Sequence, residues 1–319
     1  MIFCTTLFGN DYVKFLYAQI GSIKRNSPES DHYIIYNSIE NEYLNPLTND
    51  NKIKLIEINK IIVDKKQDLQ KVISSKVHFW KTALEFLPDK EVIMLDVDTL
   101  INFNFSKNSN FNFDLGFTYK KDRIPINTGV MYLINSPKIR LFFAKWVEMT
   151  DQIINNPNLL SISKSIDYPY GGADQMSFQK IIKYDTDNDS FSSKLNGLKL
   201  VKLECEIYNQ TNSVPYDKSV KIYHYKGGWH NVIIKGYSFN KKRTLKDSYS
   251  LLIFFNSCLE YFSNSYKIVN SYTSLNVPYF KGGKVNRLKY MGHYIFYLTK
   301  KASISLLRKV FPKFKHVRI

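Results

Sequence analysis

Short apolar runs without a polar break alternate with helix-periodic segments from the second residue onward. Ile2–Leu7, His32–Tyr36 and Glu91–Leu95 are such runs, and Ile53–Ile58, interrupted by Lys54 and Glu57, reads as a further strand. A strand exposed on one face alternates apolar with polar, so an unbroken run marks a strand covered on both faces. Asp11–Lys24, with Tyr12, Phe15, Leu16, Gln19, Ile20 and Ile23 at helical spacing, predicts a helix. Gln67–Leu87, ending before Pro88, predicts a longer one. Strand, helix, strand in this order predicts an α/β domain built on a mainly parallel sheet with helices on both faces. Further on, Leu115–Tyr119 and Gly129–Ile134 read as strands and Ile139–Met149 as a helix; 152–170 and 184–197, rich in Asn, Ser and Asp, read as loops.

The alternation stops near residue 235, where the charge also changes. Residues 231–319 hold 17 Lys and Arg against Asp247 and Glu260 alone, a net of +15 of the chain's +17. Such asymmetry predicts an anionic partner for the C-terminal part. On a helical projection Ile304, Leu306, Leu307, Val310 and Phe311 share one arc, opposite Lys301, Ser305, Arg308 and Lys309. Residues 284–319 therefore read as basic amphipathic helix for an anionic membrane surface; the alternative is an apolar face docked on the catalytic domain. No zinc, helix-turn-helix or RNP-type signature accompanies the charge, so nucleic acid is not expected as a partner. No apolar run approaches the ~20 residues of a membrane span. The opening residues carry no secretory pattern, and Cys4, Cys205 and Cys258 make no disulfide framework, which together predict a cytoplasmic setting.

Asp96 and Asp98 follow the apolar Glu91–Leu95 run, in Leu95-Asp96-Val97-Asp98-Thr99. Carboxylates at i and i+2 share one side of an extended segment, here at the C-terminal edge of a buried strand, where open α/β sheets bind ligands. Two oxygens there suit a hard divalent ion with positions left open for a diphosphate. The plainer alternative is a solvated turn at a strand end. A haloacid-dehalogenase-type phosphatase carries a similar Asp-x-Asp, but Leu100 stands where its motif needs Thr or Val, and that motif usually opens the fold. A sugar-phosphate nucleotidyltransferase would need a Gly-rich, Arg-containing loop where Leu7-Phe8-Gly9-Asn10-Asp11 stands. A non-catalytic basic binding protein is the remaining alternative.

Further segments fall in order around that pair: Ser75–Trp80 before it, then Asn127–Met131, Gly171–Gln175 and His224–His230. Over about residues 1–235 this string resembles glycosyltransferase family 8, the glycogenins and bacterial lipooligosaccharide galactosyltransferases. The resemblance implies a GT-A catalytic domain over 1–235, followed by a basic, largely helical extension over 236–319. It implies that Asp96, Asp98 and His224 ligate Mn²⁺ (or Mg²⁺) on the diphosphate of a nucleotide-sugar donor. Lys76 would meet the donor phosphate or sugar, and Asn127 and Gly129 would line the sugar pocket. Asp174 would bind donor hydroxyls, with helix capping as its alternative role, and Gln175 would lie near the anomeric carbon. Thr5, Thr6 and Asn10 would approach the base and ribose. The glycines after His224, Gly227 among them, would let backbone approach phosphate. The family's closing motif has Lys six residues after its His; here that place holds His230, with Lys226 and Lys235 nearby. The expected reaction moves a hexose, from UDP-hexose, to a glycan or lipid-linked saccharide in cell-envelope glycan synthesis at the inner face of the cytoplasmic membrane. An amide at Gln175 matches retention, and Asp174 would be the base if the reaction inverted.

Overall fold

The computed structural model describes residues 1–58, 74–108, 110–165, 167–168, 170–185, 188–192, 194–195, 197–211 and 219–226. Strand β1 (Ile2–Phe8) leads through a 3-10 turn, Asn10–Tyr12, into helix α1 (Val13–Asn26). Strands β2 (Asp31–Asn37) and β3 (Ile53–Glu57) follow, then helix α2 (Lys76–Phe86) and strand β4 (Glu91–Asp96). Next come β5 (Thr99–Ile101), β6 (Leu115–Tyr119) and β7 (Ile126–Ile134). Helices α3 (Pro137–Asn155), α4 (Pro157–Lys164) and α5 (Ala173–Ile181) precede the short β8 (Lys194–Leu195), β9 (Leu198–Glu204) and β10 (Ile222–His224).

The main sheet has 8 strands in the order β3-β2-β1-β4-β7-β6-β9-β8. Strands β3, β2, β1 and β4 are mutually parallel, β6 is parallel to β9, and only β7 and β8 run against the rest. A second, 2-stranded sheet pairs β10 with β5 antiparallel, setting His224 opposite Thr99.

The unbroken runs have the reason expected of them. Ile2, Cys4, Val92, Met94, Met131 and Leu133 face α2 and α3, where Trp80, Phe142, Phe143 and Trp146 are buried. Phe3, Ile93, Leu95, Val130 and Tyr132 face the other way, against Ile23 of α1 and the small sheet's Ile101 and Ile222. Strands β1, β4 and β7 alternate between two cores rather than between core and water.

The segment expected as loop over 152–170 is corrected. Helix α3 runs on to Asn155, and α4 follows at once. Asn156 caps α4 by accepting from the Asn158 and Leu159 N–H groups, with Pro157 at the first helical position. Asn and Pro start helices as readily as they end them, and Leu159, Leu160 and Ile162 pack with Ile153, Ala173 and Met176. The expected helix over 67–87 is present as α2, its residues 67–73 lying outside the described residues. The C-terminal extension lies outside them as well. Among the described residues no helix is long and apolar enough to cross a membrane.

Candidate functional site

Strand β4 delivers Asp96 to the C-terminal edge of the sheet, and a tight turn brings Asp98 round beside it before β5 begins. Gln19 of α1 holds this turn: its amide donates to the Asp96 carbonyl at 3.0 Å and to Thr99 Oγ1 at 2.7 Å. The pairing of β10 with β5 brings the distant His224 to the same turn, and the Tyr225 N–H donates to the Asp98 carbonyl at 2.7 Å. His224 Nε2 then lies 3.2 Å from Asp98 Oδ1 and 3.8 Å from Asp96 Oδ2. One donor atom from each of the three lies within 4.8 Å of the others.

Lys76, at the start of α2, reaches in from the opposite side. Its ammonium is 3.1 Å from Asp96 Oδ1, 3.4 Å from Asp174 Oδ2, and 5.1 Å above the Trp80 ring. Asp174 is buried in the first turn of α5, where its carboxylate accepts from Thr128 Oγ1 at 2.7 Å. Its partners are Thr128 and Lys76, not the helix's backbone N–H groups, so the capping role gives way to a place in the site. Gly171 (φ 70°) and Gly172 (φ 148°) make the turn into α5 with dihedrals that side-chain-bearing residues rarely adopt.

Among the described residues in ion-pair contact at the site, the charges do not balance. Three carboxylates meet one ammonium, and His224 carries charge only if protonated. Burial raises the Asp96 pKa, and the Asp98 charge adds to this against the opposing pull of Lys76 and His224. Burial acts to lower the Lys76 pKa, but Asp96 and Asp174 outweigh it and hold its ammonium above the ordinary lysine value. Two carboxylates and an imidazole converging at a net negative centre are a donor set that a divalent cation fits. Phosphate oxygens and water would complete its shell.

Most of the expected residues converge here, and their settings differ. Asn127 and Gly129 lie within β7, which begins three residues earlier than the expected strand. Asn127 is buried, with Oδ1 accepting from the Gly129 N–H at 2.8 Å. The Gln175 amide donates to the Gly171 carbonyl, at the turn into α5. Thr6 sits in register beside Asp96. Asn10 is tied through its side chain to Glu40. Thr5 is fully buried, its hydroxyl donating to Gln19 at 2.7 Å and lying 2.8 Å from His32 Nε2. Gly227 and His230 lie outside the described residues.

Sequence reasoning passed over Gln19, Thr128, Asn209 and Tyr12. Gln19 and Tyr12 were legible only as positions on a helical face. Burial first, then the charges of Asp98 and Asp11, raise the Tyr12 phenol pKa. Lys226, two residues past His224, is exposed, and its pKa is lowered, with Asp98 and Asp96 acting against the fall. It is the described lysine nearest in sequence to the place that the family gives to a phosphate-binding one.

No protein-family model and no curated protein sequence matches the chain. Solved structures match it by fold. The crystal structure of the glycosyltransferase GlyE of Streptococcus pneumoniae TIGR4 aligns with a TM-score of 0.53 at 14% identity, over 83% of this chain and 63% of that one. Its apo form gives 0.52 at 16% identity over the same shares. The galactosyltransferase LgtC, in complex with donor and acceptor sugar analogs, gives 0.46 at 13% identity over 76% of this chain and 98% of that one. The chain thus spans less than two thirds of the GlyE structure's length. The likeness is one of fold, and the expected GT-A architecture is borne out over the described residues.

Proposed function

We propose that the chain is a divalent-metal-dependent glycosyltransferase that moves a hexose from a nucleotide-sugar, UDP-hexose first, to a saccharide or lipid-linked saccharide acceptor. The convergence of Asp96, Asp98 and His224 at the C-terminal edge of a glycosyltransferase-like sheet carries this reading. Asp96, Asp98 and His224 would hold Mn²⁺ or Mg²⁺. Such an ion supplies charge stabilisation to a leaving diphosphate.

The chain's own groups do the rest. Lys76 adds a fixed positive charge beside the metal ligands, on the side where Asp174 sits. Asp174, held by Thr128 and Lys76, is an acceptor in a fixed position for a donor-sugar hydroxyl. Gln175 presents a neutral amide one residue on, which suits retention. Thr6, Asn10 and Tyr12 are the base and ribose side of this proposal, with Tyr12 replacing Thr5. Gly227 and His230 keep their expected roles at the phosphates. Residues 1–235 form the catalytic domain, and the basic 236–319 places the enzyme on an anionic membrane, which suits a lipid-linked acceptor in envelope glycan synthesis. The phosphatase reading is not favoured. Asp96, which would have to be its free nucleophile, is held by the Lys76 ammonium and sits against His224.

The test is a donor-hydrolysis panel with Mn²⁺ or EDTA and each common UDP-, GDP- and CMP-sugar, quantifying freed nucleotide. Mn²⁺-dependent release of UDP from one donor, lost in Asp98→Ala, is the expected result. Phosphate release from a phosphomonoester with every sugar nucleotide intact would overturn the reading.

A further inference from the structure

A buried chain of hydrogen bonds runs from the main sheet to the far side of the His224 ring. Thr118 Oγ1 on β6 donates its single proton to the Asn127 carbonyl at 2.8 Å. It therefore meets Asn209 Nδ2, also at 2.8 Å, as an acceptor. With its amide nitrogen spent on Thr118, Asn209 turns its oxygen to His224 Nδ1, 2.9 Å away. An amide oxygen only accepts, so Nδ1 carries the ring proton in the neutral imidazole and Nε2 keeps its lone pair. That lone pair points at Asp98 Oδ1 and Asp96 Oδ2, at 3.2 and 3.8 Å. Lone pair against carboxylate is repulsive until a cation lies between them.

The opposite arrangement is sterically as easy and chemically different. A flipped amide would donate to Nδ1, move the ring proton to Nε2, and let His224 donate to Asp98. The site would then satisfy itself and be closed to a metal. Thr118 stands against the flip, because its proton is committed to Asn127. Asn209 is wholly buried, and its place does not depend on its amide. Its backbone N–H donates to Cys205 O, its neighbour's N–H donates to Ile222 O, and its carbonyl accepts from Cys205 Sγ.

We propose that Asn209 is a positioning residue, with Thr118 behind it, that selects the His224 tautomer able to take a divalent cation. The proposal rests on the metal reading above and adds to it the residue that sets the affinity.

The full-length chain would be titrated with Mn²⁺ alone, reading the free-ion electron paramagnetic resonance signal. Thermal melts of the metal-free proteins serve as the check on folding. Asn209→Leu, which cannot accept from Nδ1, is expected to weaken Mn²⁺ binding by about 10–100-fold, the usual effect of losing a ligand's hydrogen-bond partner. Asn209→Asp accepts at the same place, its second oxygen drawing the Thr118 hydroxyl proton away from the Asn127 carbonyl because a carboxylate is the stronger acceptor, and it is expected to bind within about threefold of the wild type or tighter. A role in packing alone would injure both. Thr118→Val, which frees the amide to flip, is expected to fall between them and serves if Asn209→Leu does not fold. Equal Mn²⁺ affinity in the wild type, Asn209→Leu and Thr118→Val overturns the proposal. Loss in Asn209→Asp as deep as in Asn209→Leu also overturns it. A wild type that binds no Mn²⁺ overturns instead the metal reading beneath it.

Discussion

Gly129 lies so close to His224 that a methyl group on its Cα would sit 2.4 Å from the ring's Cε1 and 2.7 Å from Asp96 Oδ2. The glycine is there for lack of a side chain rather than for an unusual dihedral. It lies in β7 between Asn127, paired with β6, and Val130, paired with β4, which anchor the backbone on either side of it. Gly129→Ala must therefore push the imidazole off the carboxylates. We expect Mn²⁺ affinity to fall at least about tenfold while stability drops by about 1–3 kcal/mol, the usual range for an overpacked site. Isothermal titration with Mn²⁺ beside a urea melt separates the two effects; unchanged affinity would refute the close approach.

Lys76 is the one described cation lying between Asp96 and Asp174. Lys76→Met keeps the length of the side chain and removes its charge, leaving the buried Asp174 carboxylate with Thr128 as its remaining hydrogen-bond partner among the described residues. Breaking a buried ion pair from one side costs about 3–5 kcal/mol, so the metal-free variant should melt well below the wild type. Saturating Mn²⁺ should recover part of the difference, because a second cation beside Asp96 lowers the repulsion among the three carboxylates. Calorimetric melts of both proteins with and without Mn²⁺ test this. A gap equal in the two conditions would mean that Lys76 and the metal site are not coupled.

How far the sequence reveals such a site depends on what each residue's role requires. Parallel strands covered on both faces leave unbroken apolar runs, and β1, β2 and β4 were legible for that reason, while β3, at the sheet's edge, was legible although Lys54 and Glu57 break its run. Strand β9 was missed: Lys199, Lys202 and Glu204 break its run, because it sits near the sheet's edge beside only the two-residue β8. Asp96 and Asp98 were visible because their spacing matters within one segment. His224 needed the resemblance, since nothing local says that β10 pairs with β5. Asn209 carried no signal at all, because its role comes from Thr118 and His224, far away in the chain. Thr5 shows the converse: a polar residue at the expected strand end, consumed by Gln19 and His32.

His32 itself sets a pH dependence of stability away from the site. Burial, partly opposed by Asp50, pushes its pKa down to about 3, against about 6.5 in an unfolded chain. Between those values the unfolded chain binds the proton and the folded one does not. The neutral ring's contribution is present above pH 6.5 and is lost as pH falls toward 3. From pH 7 to pH 5 the loss from this group is roughly 2 kcal/mol. Asp50, whose pKa is lowered chiefly by Lys24 against the opposing effect of burial, loses its contribution below the usual carboxylate value, outside that range. Urea midpoints at pH 7 and pH 5 should fall together less steeply in His32→Gln; an equal slope in both proteins would remove His32 as the cause.

Asp98 exposes the conflict between holding a cation and holding the fold. Without a metal its carboxylate faces Asp96 and, in the neutral form of the ring, the Nε2 lone pair of His224. Asp98→Asn removes a negative charge from that cluster, and its amide N–H groups can donate to Nε2, which a carboxylate cannot do. The metal-free variant should therefore be as stable as the wild type or more so, by about 1 kcal/mol, the net worth of a hydrogen bond. The same change deletes an anionic ligand and should abolish the stabilisation by Mn²⁺, which in the wild type is about 2.7 kcal/mol at 100 times Kd. Melting curves with a Mn²⁺ series would show the two lines crossing: the variant above at zero metal, the wild type above at saturation. A variant that is less stable at every Mn²⁺ concentration would place Asp98 among the groups that hold the fold rather than among those held in readiness for a cation.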